Sequence, residues 1–420
     1  MELSVSLHNK QIGSLYINSG GSIFVFSEEY LNDSDRKVLG LGFEERLTDA
    51  PQLTKDDIHP WFANLFPEGG FSRVLKSSLG INEKSKRYEQ IAQLLAQVGA
   101  DLPGAVSVIP KYETGYPSTN MNRTNSSYSE DASGLQVNSR TSTDSFSALS
   151  MKFSLAGIQV KFSADVSSDR FTLPASSSQA KWFVKPPAQD FPHLPENEHA
   201  VMQLAAHAGL NVAHTKLVSK EQFRDVPDRV WAGKGHGLAI ERFDRTNSGP
   251  RIHMEDLAQV RFYNPRDKYK GTFETIGAYF YRGRDQSSLL EFSHRLAFNL
   301  LLGNHDAHLK NWSLLYPDGR NPRISPAYDL VSVIVYPWVT KDIGLKFGNR
   351  RHYSNISLDS FDRLSRKIEF SEFSITDSVR QFINALLPDY LDVLSGAGMH
   401  SDHLLLVRCH VNEMKRLWDL

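Results

Sequence analysis

The chain has 420 residues, of which 40% are hydrophobic and 23% charged, and it carries a net charge of −1 at pH 7. This composition excludes a disordered or collagen-like polymer and suits roughly two to three globular domains, while the near-neutral balance argues neither for nor against nucleic acid as a partner. The single cysteine, Cys409, excludes a disulfide scaffold and a cysteine metal site and fits a reducing cytoplasm.

The opening "MELSVSLHNK" lacks the basic-then-apolar shape of a signal peptide. No apolar run approaches the roughly 18 residues of a membrane span, so no membrane partner is expected. "LSVSL", "IGSLYI" and "SIFVF" alternate apolar and polar residues between polar turns and predict a small antiparallel sheet. Two helical patterns follow, "WFANLFPEGGFSRVLKSSLG" and "RYEQIAQLLAQVGADLPG"; the second carries Ile91, Leu94, Leu95 and Val98 at helical spacing and ends on a glycine. Residues 1–112 therefore read as a small α+β unit. Residues 113–150, rich in Ser, Thr and Asn, are too poor in aliphatic side chains to offset their ordering entropy and read as a linker or insertion.

A β-rich lobe is expected over 151–248. It contains "FSLAGIQVKFSAD", "RFTLPA", "KWFVK", the helix "ENEHAVMQLAAHAGL", "TKLVS" and "GLAIERFDR". Residues 249–420 read as a mainly helical lobe with one β interruption at "WSLLYPDGRNPRISPAYDLVSVIV". Glu255-Asp256 reads as the acidic first turn of a helix, and Cys409, in the apolar helical context "LLLVRCHV", as a buried structural thiol.

"GNHDAHLKN", Gly303 to Asn311, admits two chemistries. Its Gly-Asn-His-Asp start is shared with dinuclear metallophosphatases, but two metal ions need further carboxylate and histidine ligands. The only upstream Asp-x-His, Asp57 to His59, does not follow an apolar strand, and neither a Gly-Asp-x-x-Asp nor a later Gly-His-x-His is present. His305 and His308 at i, i+3 can share a helical face, but no glutamate partner stands between them.

Phosphoryl transfer asks for a carboxylate to orient the attacking hydroxyl, an amide and a second carboxylate for Mg²⁺, and a lysine on the phosphates. Asp306 and Asn311 have the kinase spacing of base to metal ligand. A hairpin should follow and bring Asp329 to the metal, with Asp329 closing its second strand. The helix "DQSSLLEFSHRLAFNLLLG", capped by Asp285 or a nearby serine, should hold the loop, and Lys310 should stand near the transferring phosphate. Upstream, Lys185 ends a strand, Glu198 or Glu196 opens a helix that can pair with it, and the backbone at Glu241 and Phe243 suits an adenine-binding hinge. "SLAGIQVKFS" occupies the place of a phosphate-covering loop. Taken singly each piece has a bland reading: an edge-strand lysine, a first-turn glutamate, a turn-capping aspartate, packed His294 and His308. The case rests on their order.

In "FSLAGIQVKFS", "FVKPP", "ENEHAVMQLAAHAGLNV", "LAIERFDR", "RIHMEDLAQ", "NLLLGNHDAHLKNWSLLY" and "ISPAYDLVS" the chain resembles the HipA family of toxin–antitoxin serine/threonine kinases. "HPWFANLFPEGG" and "GADLPGAVSVIP" resemble that family's N-terminal subdomain. The resemblance implies an α+β fold, a small N-terminal subdomain followed by a bilobal kinase-like body, and ATP and Mg²⁺ as cofactors. It implies Asp306 as catalytic base, with His308 supporting it, Asn311 and Asp329 as metal ligands, and Lys185, paired with Glu198, on the ATP phosphates. Glu241 and Phe243 would hold adenine, Ala156 and Gly157 would lie in the nucleotide loop, and Ser154 would be an autophosphorylation site. Implied partners are a HipB-like helix-turn-helix antitoxin, operator DNA reached through that antitoxin, and an aminoacyl-tRNA synthetase, the glutamyl enzyme favoured, as substrate. Transfer-free readings, a pseudokinase or an antitoxin-binding module, use the same residues. Residue 305 departs from the family by being histidine, and the insertion before Ser154 looks long.

Overall fold

A computed structural model describes residues 1–66, 81–82, 84–111, 162–167, 170–172, 180–223, 226, 230–231, 233–246 and 249–420. The alternating N-terminal segments form β1 (Glu2–Leu7), β2 (Lys10–Asn18) and β3 (Gly21–Phe26). With β4 (Thr54–Lys55) and β5 (Val106–Pro110) they make an antiparallel sheet of order β4-β3-β2-β1-β5. The expected helix spans Arg87–Val98 and buries Ile91, Leu94 and Leu95. Of the first helical pattern, the short helix Pro60–Ala63 is described and residues 67–80 lie outside the described residues, as does the 113–150 segment.

A second antiparallel sheet has the order β7-β6-β8-β10-β9, from β6 (Phe162–Ser167), β7 (Arg170–Thr172), β8 (Trp182–Lys185), β9 (Thr215–Val218) and β10 (Gly237–Glu241). Side-chain alternation gives it two different faces. Trp182, Val184, Val218 and Ala239 join the core of the N-terminal unit. Phe183, Leu217, Leu238 and Ile240 face the core of the C-terminal lobe, which also takes in Ala200, Val201 and Leu204 of the helix Leu194–His207. The sheet is thus packed on both sides. One step beyond Val184, Lys185 falls on the side of the C-terminal lobe.

The C-terminal lobe is built around the helix Gln286–Leu301, whose Leu289, Phe292, Leu296 and Leu300 are all buried. Asp285 caps it, accepting from the Ser288 amide at 3.0 Å, as its position before the apolar stripe suggests. Four places depart from expectation. Glu255-Asp256 belongs to a strand, β11 (His253–Asp256), which pairs with β12 (Ser313–Tyr316); Asp256 only caps the short helix that follows. The hairpin's second strand, β13 (Arg323–Ile324), ends five residues before Asp329, which stands outside the sheet with a left-handed backbone, φ 59°. A second β interruption, β14 (Asp342–Phe347) with β15 (Arg350–His352), was not anticipated. Cys409 is exposed, because the buried stripe of the helix Ser401–Trp418 runs through His403, Val407, His410, Val411 and Met414 and leaves the cysteine on the other side. Among the described residues no helix is long and apolar enough to cross a membrane.

Candidate active site

β8 carries Lys185 to the cleft between the second sheet and the C-terminal lobe, where it meets Glu198 from the first turns of the helix Leu194–His207. The ammonium donates to both Glu198 oxygens, at 2.7 and 2.8 Å, and also to Asp329. Glu196, the alternative partner, turns instead to His236, 3.1 Å away. Burial alone would pull the lysine's pKa down, but the Asp329 and Glu198 carboxylates outweigh it and hold the pKa above the ordinary lysine range. Lys185 and Glu198 are 5% and 3% exposed, whereas Asp329 is 39% exposed and opens toward solvent.

A non-glycine residue in the left-handed region costs about 1–3 kcal/mol and persists only where its surroundings hold it. Asp329 is held by Lys185 through its side chain and by the Asn304 amide, which donates to its carbonyl at 3.3 Å. The segment beyond it is pinned by Asn197, whose amide donates to the Ser332 carbonyl and accepts from the Ser332 N–H.

The loop from Gly303 to Asn311 lies against this group. Gly303 ends the long helix with φ +70°, and a Cβ there would come within 2.4 Å of Ile334, so both conformation and space require glycine. Asn304 is fixed by Asn299 at 2.7 Å and touches Asp329; this is a bracing role, distinct from the ligand role a metallophosphatase would give it. His305 stacks on Tyr353 at 5.0 Å beside His410, and burial pushes its pKa down to about 4, so it is neutral. Asp306 accepts from the Tyr269 hydroxyl at 2.7 Å through Oδ1, and its carbonyl accepts from the His308 N–H at 2.7 Å and the Asn311 amide at 3.1 Å. The buried His308 ring meets the Tyr269 ring edge-on at 5.2 Å. Lys310, expected near the transferring phosphate, meets the N-terminal unit here. It is buried, and its ammonium donates to the Asn64 carbonyl at 3.1 Å, fastening the loop to the N-terminal unit.

At the end of β10, Glu241 sits opposite Trp182, and its N–H donates to the His214 carbonyl at 2.8 Å. The half-buried Phe243 ring lies 5.9 Å from Tyr328, next to Asp329. Between Glu241 and Phe243, Arg242 is buried against Asp244 and against Asp101 of the N-terminal unit. Arg245 donates to Asp101 at 2.9 Å and to Asp244 at 2.7 Å, and the Gly104 N–H donates to Asp244 at 2.7 Å. Although burial works against ionisation, Arg242 and Arg245 bring the Asp244 pKa down to about 2. A second seam has a different chemistry. Glu255 is fully buried and accepts from the Trp61 indole at 3.0 Å, the Leu41 N–H at 2.9 Å and the Tyr316 hydroxyl. Burial pushes its pKa up to about 7 against the pull of those donors. A Cβ on Gly40 would come within 2.5 Å of its carboxylate, so only glycine allows this approach.

Ser154, Ala156 and Gly157 lie outside the described residues. Among the described ones, Lys185, Glu198, Asp329 and the Asp306–Asn311 loop converge, with Phe243 beside Tyr328 and Glu241 at the end of β10. Tyr269 and Asp101 were not anticipated. Nothing local marks either: one follows a charged turn, the other a helix end, and only the fold brings them to the site.

The sequence matches the family model described as the HipA N-terminal domain over residues 3–109 and that of the HipA-like C-terminal domain over residues 153–389. The chain belongs to the HipA family of toxin serine/threonine kinases. It is 35% identical over 391 residues to Y4dM of Sinorhizobium fredii, a candidate kinase, covering 91% of this chain and 89% of that one. The serine/threonine-protein kinase toxin HipA of Shewanella oneidensis is 27% identical over 317 residues, 67% of this chain and 65% of the relative. The structure of a Shewanella oneidensis HipA, HipB and operator DNA complex matches with a TM-score of 0.68 at 20% identity, covering 99% of this chain and 97% of that one, so the HipA-type fold is shared.

Proposed function

We propose that this HipA-family kinase transfers the γ-phosphoryl group of ATP, with Mg²⁺, to a serine or threonine of a protein acceptor. The observation that carries the reading is the buried Lys185–Glu198 pair, which reaches Asp329 across the cleft beside the Asp306 loop. Asn311 and Asp329 would hold Mg²⁺. An amide and one open carboxylate fit an ion that keeps most of its oxygen ligands from water and phosphates, and Asp329 already accepts a cationic ammonium. Bound there, the ion would neutralise charge on the phosphates. Lys185, released from Asp329 but kept by Glu198, would contact the same phosphates, Glu241 and Phe243 would bind adenine through their backbone, and Asp306 would orient the acceptor hydroxyl. Rate enhancement then comes from positioning and preorganised charge. Ser154 would be the autophosphorylated residue, in a nucleotide loop that includes Ala156 and Gly157. A phosphate adds about −1.5 to −2 charge, which would repel ATP and lower activity.

The acceptor would be an aminoacyl-tRNA synthetase, the glutamyl enzyme favoured, so that phosphorylation halts translation in the cytoplasm. Family membership and the fold shared with the Shewanella oneidensis HipA–HipB–operator complex support a helix-turn-helix antitoxin as partner, with operator DNA reached through it. The near-neutral charge of this chain agrees with DNA contact led by the partner. Incubation with ATP, Mg²⁺ and purified glutamyl-tRNA synthetase tests the reading. One added phosphate on the synthetase is the expected mass change. Transfer only to another synthetase would correct the acceptor, and no transfer to any protein would remove the kinase reading in favour of a nucleotide-binding module.

A further inference from the structure

Tyr269 follows the turn Pro265–Asp267, and its backbone is tied down on two sides. The Leu309 N–H donates to the Lys268 carbonyl at 3.1 Å, and the Arg351 guanidinium donates to the Tyr269 carbonyl at 3.0 Å. Its ring edge packs on His308 at 5.2 Å, and the Lys268 ammonium stands 5.3 Å over the ring. The phenol therefore arrives at Asp306 Oδ1, 2.7 Å away, from a fixed direction. Although most large rings of this lobe are buried, this one is 37% exposed.

A carboxylate on a loop has two side-chain torsions to lose before it can orient a substrate hydroxyl, and orientation is most of what a kinase aspartate contributes. We propose that Tyr269 is a positioning residue for phosphoryl transfer: its phenol fixes the rotamer of Asp306 so that the carboxylate meets the acceptor hydroxyl in line with the phosphate. The proposal rests on Asp306 being the acceptor-orienting carboxylate. A carboxylate offers about four lone-pair positions, so one donated bond leaves capacity for the acceptor. In this proposal the side chain acts through Asp306, the partner of its hydroxyl, rather than on nucleotide or Mg²⁺. Its loss should therefore lower kcat and leave ATP affinity alone.

The test uses the full chain with ATP and Mg²⁺, reading initial transfer rates to casein, to glutamyl-tRNA synthetase and to the chain itself. Tyr269→Phe should lower kcat roughly 10- to 100-fold, the scale of a small misplacement of a reacting group. The KM for ATP and the melting temperature should stay at their wild-type values. Asp306→Asn/Tyr269→Phe should be no slower than Asp306→Asn, since the tyrosine has nothing left to position. Tyr269→Phe at the wild-type rate or faster, beside an inactive Asp306→Asn, would overturn the inference and leave the reading of Asp306 standing. A loss additive with Asp306→Asn, or one accompanied by lower stability or weaker ATP binding, would also overturn it. Full activity of Asp306→Asn, or no transfer by wild type to any of the three acceptors, would remove the underlying reading itself.

Discussion

The two sides of the cleft are built differently. On the side proposed to take the nucleotide, Lys185 and Glu198 are buried and charged, and Asp329 completes a group of three in which every charge has an opposite neighbour. On the side proposed to take the acceptor, Asp306 accepts from a neutral group, the Tyr269 phenol, at a partly open surface. The first arrangement is strong and stiff, and it suits a polyanion that is always the same. The second fixes direction through a neutral hydroxyl donor at a partly exposed ring. Stability should therefore depend heavily on the nucleotide side and hardly on the acceptor side, while turnover depends on both.

The same contrast recurs where the N-terminal unit meets the kinase body. At the hinge, Asp101 is paired with Arg242 and Arg245. At the other seam, Glu255 is satisfied by neutral donors from Trp61, Leu41 and Tyr316. One acid is surrounded by cations; the other sits near its own neutrality point.

Lys185→Met gives the largest expected effect on stability. It leaves Glu198 buried without its cation, which should cost about 3–5 kcal/mol, visible as an earlier midpoint in urea, together with loss of ATP binding. A variant that keeps wild-type stability would erase the contrast between the two sides. Asp101→Ala should follow at about 3 kcal/mol, because two buried arginines lose a shared acceptor. Since Arg242 lies between Glu241 and Phe243, the KM for ATP should rise more than kcat falls. An unchanged KM would make this seam purely structural. Glu255→Gln gives the smallest and most specific effect. The pKa of Glu255 is raised to about 7 in the fold, so between the ordinary carboxylate range and about pH 7 the folded chain holds a proton that the unfolded chain has released. Its contribution is complete at acid pH and is lost as pH rises through about 7, with a slope of at most ~1.4 kcal/mol per pH unit. Denaturation midpoints of Glu255→Gln between pH 5 and 8 should lack that decline; an identical slope in wild type and variant would contradict it.

Much of this was legible in the chain. The alternation in "KWFVK" puts Lys185 opposite Val184, and the 3–4 spacing of Leu289, Phe292, Leu296 and Leu300 builds the helix that supports the loop. What local patterns missed has a physical cause in each case. A strand of two residues, β13, cannot show a period, so Asp329 was assigned to a sheet it has already left. Glu255 looked like a helix start because nothing in "RIHMEDLAQ" reveals that Trp61 and Tyr316 will cover it. Lys310 also meets the Asn64 carbonyl of the N-terminal unit, a contact no local pattern announces. Tyr269 and Asp101 act across long sequence separations, and a single sequence carries no signal of such meetings.

The most direct measurement compares wild type with Asp306→Ala, reading ATP binding by calorimetry and phosphate transfer by intact mass on the same preparations. The account predicts that the variant binds ATP with Mg²⁺ within about twofold of wild type while transfer falls by roughly 10²–10⁴-fold. Retained transfer, or ATP binding lost together with activity, would contradict the assignment of Asp306 to the acceptor side of the cleft.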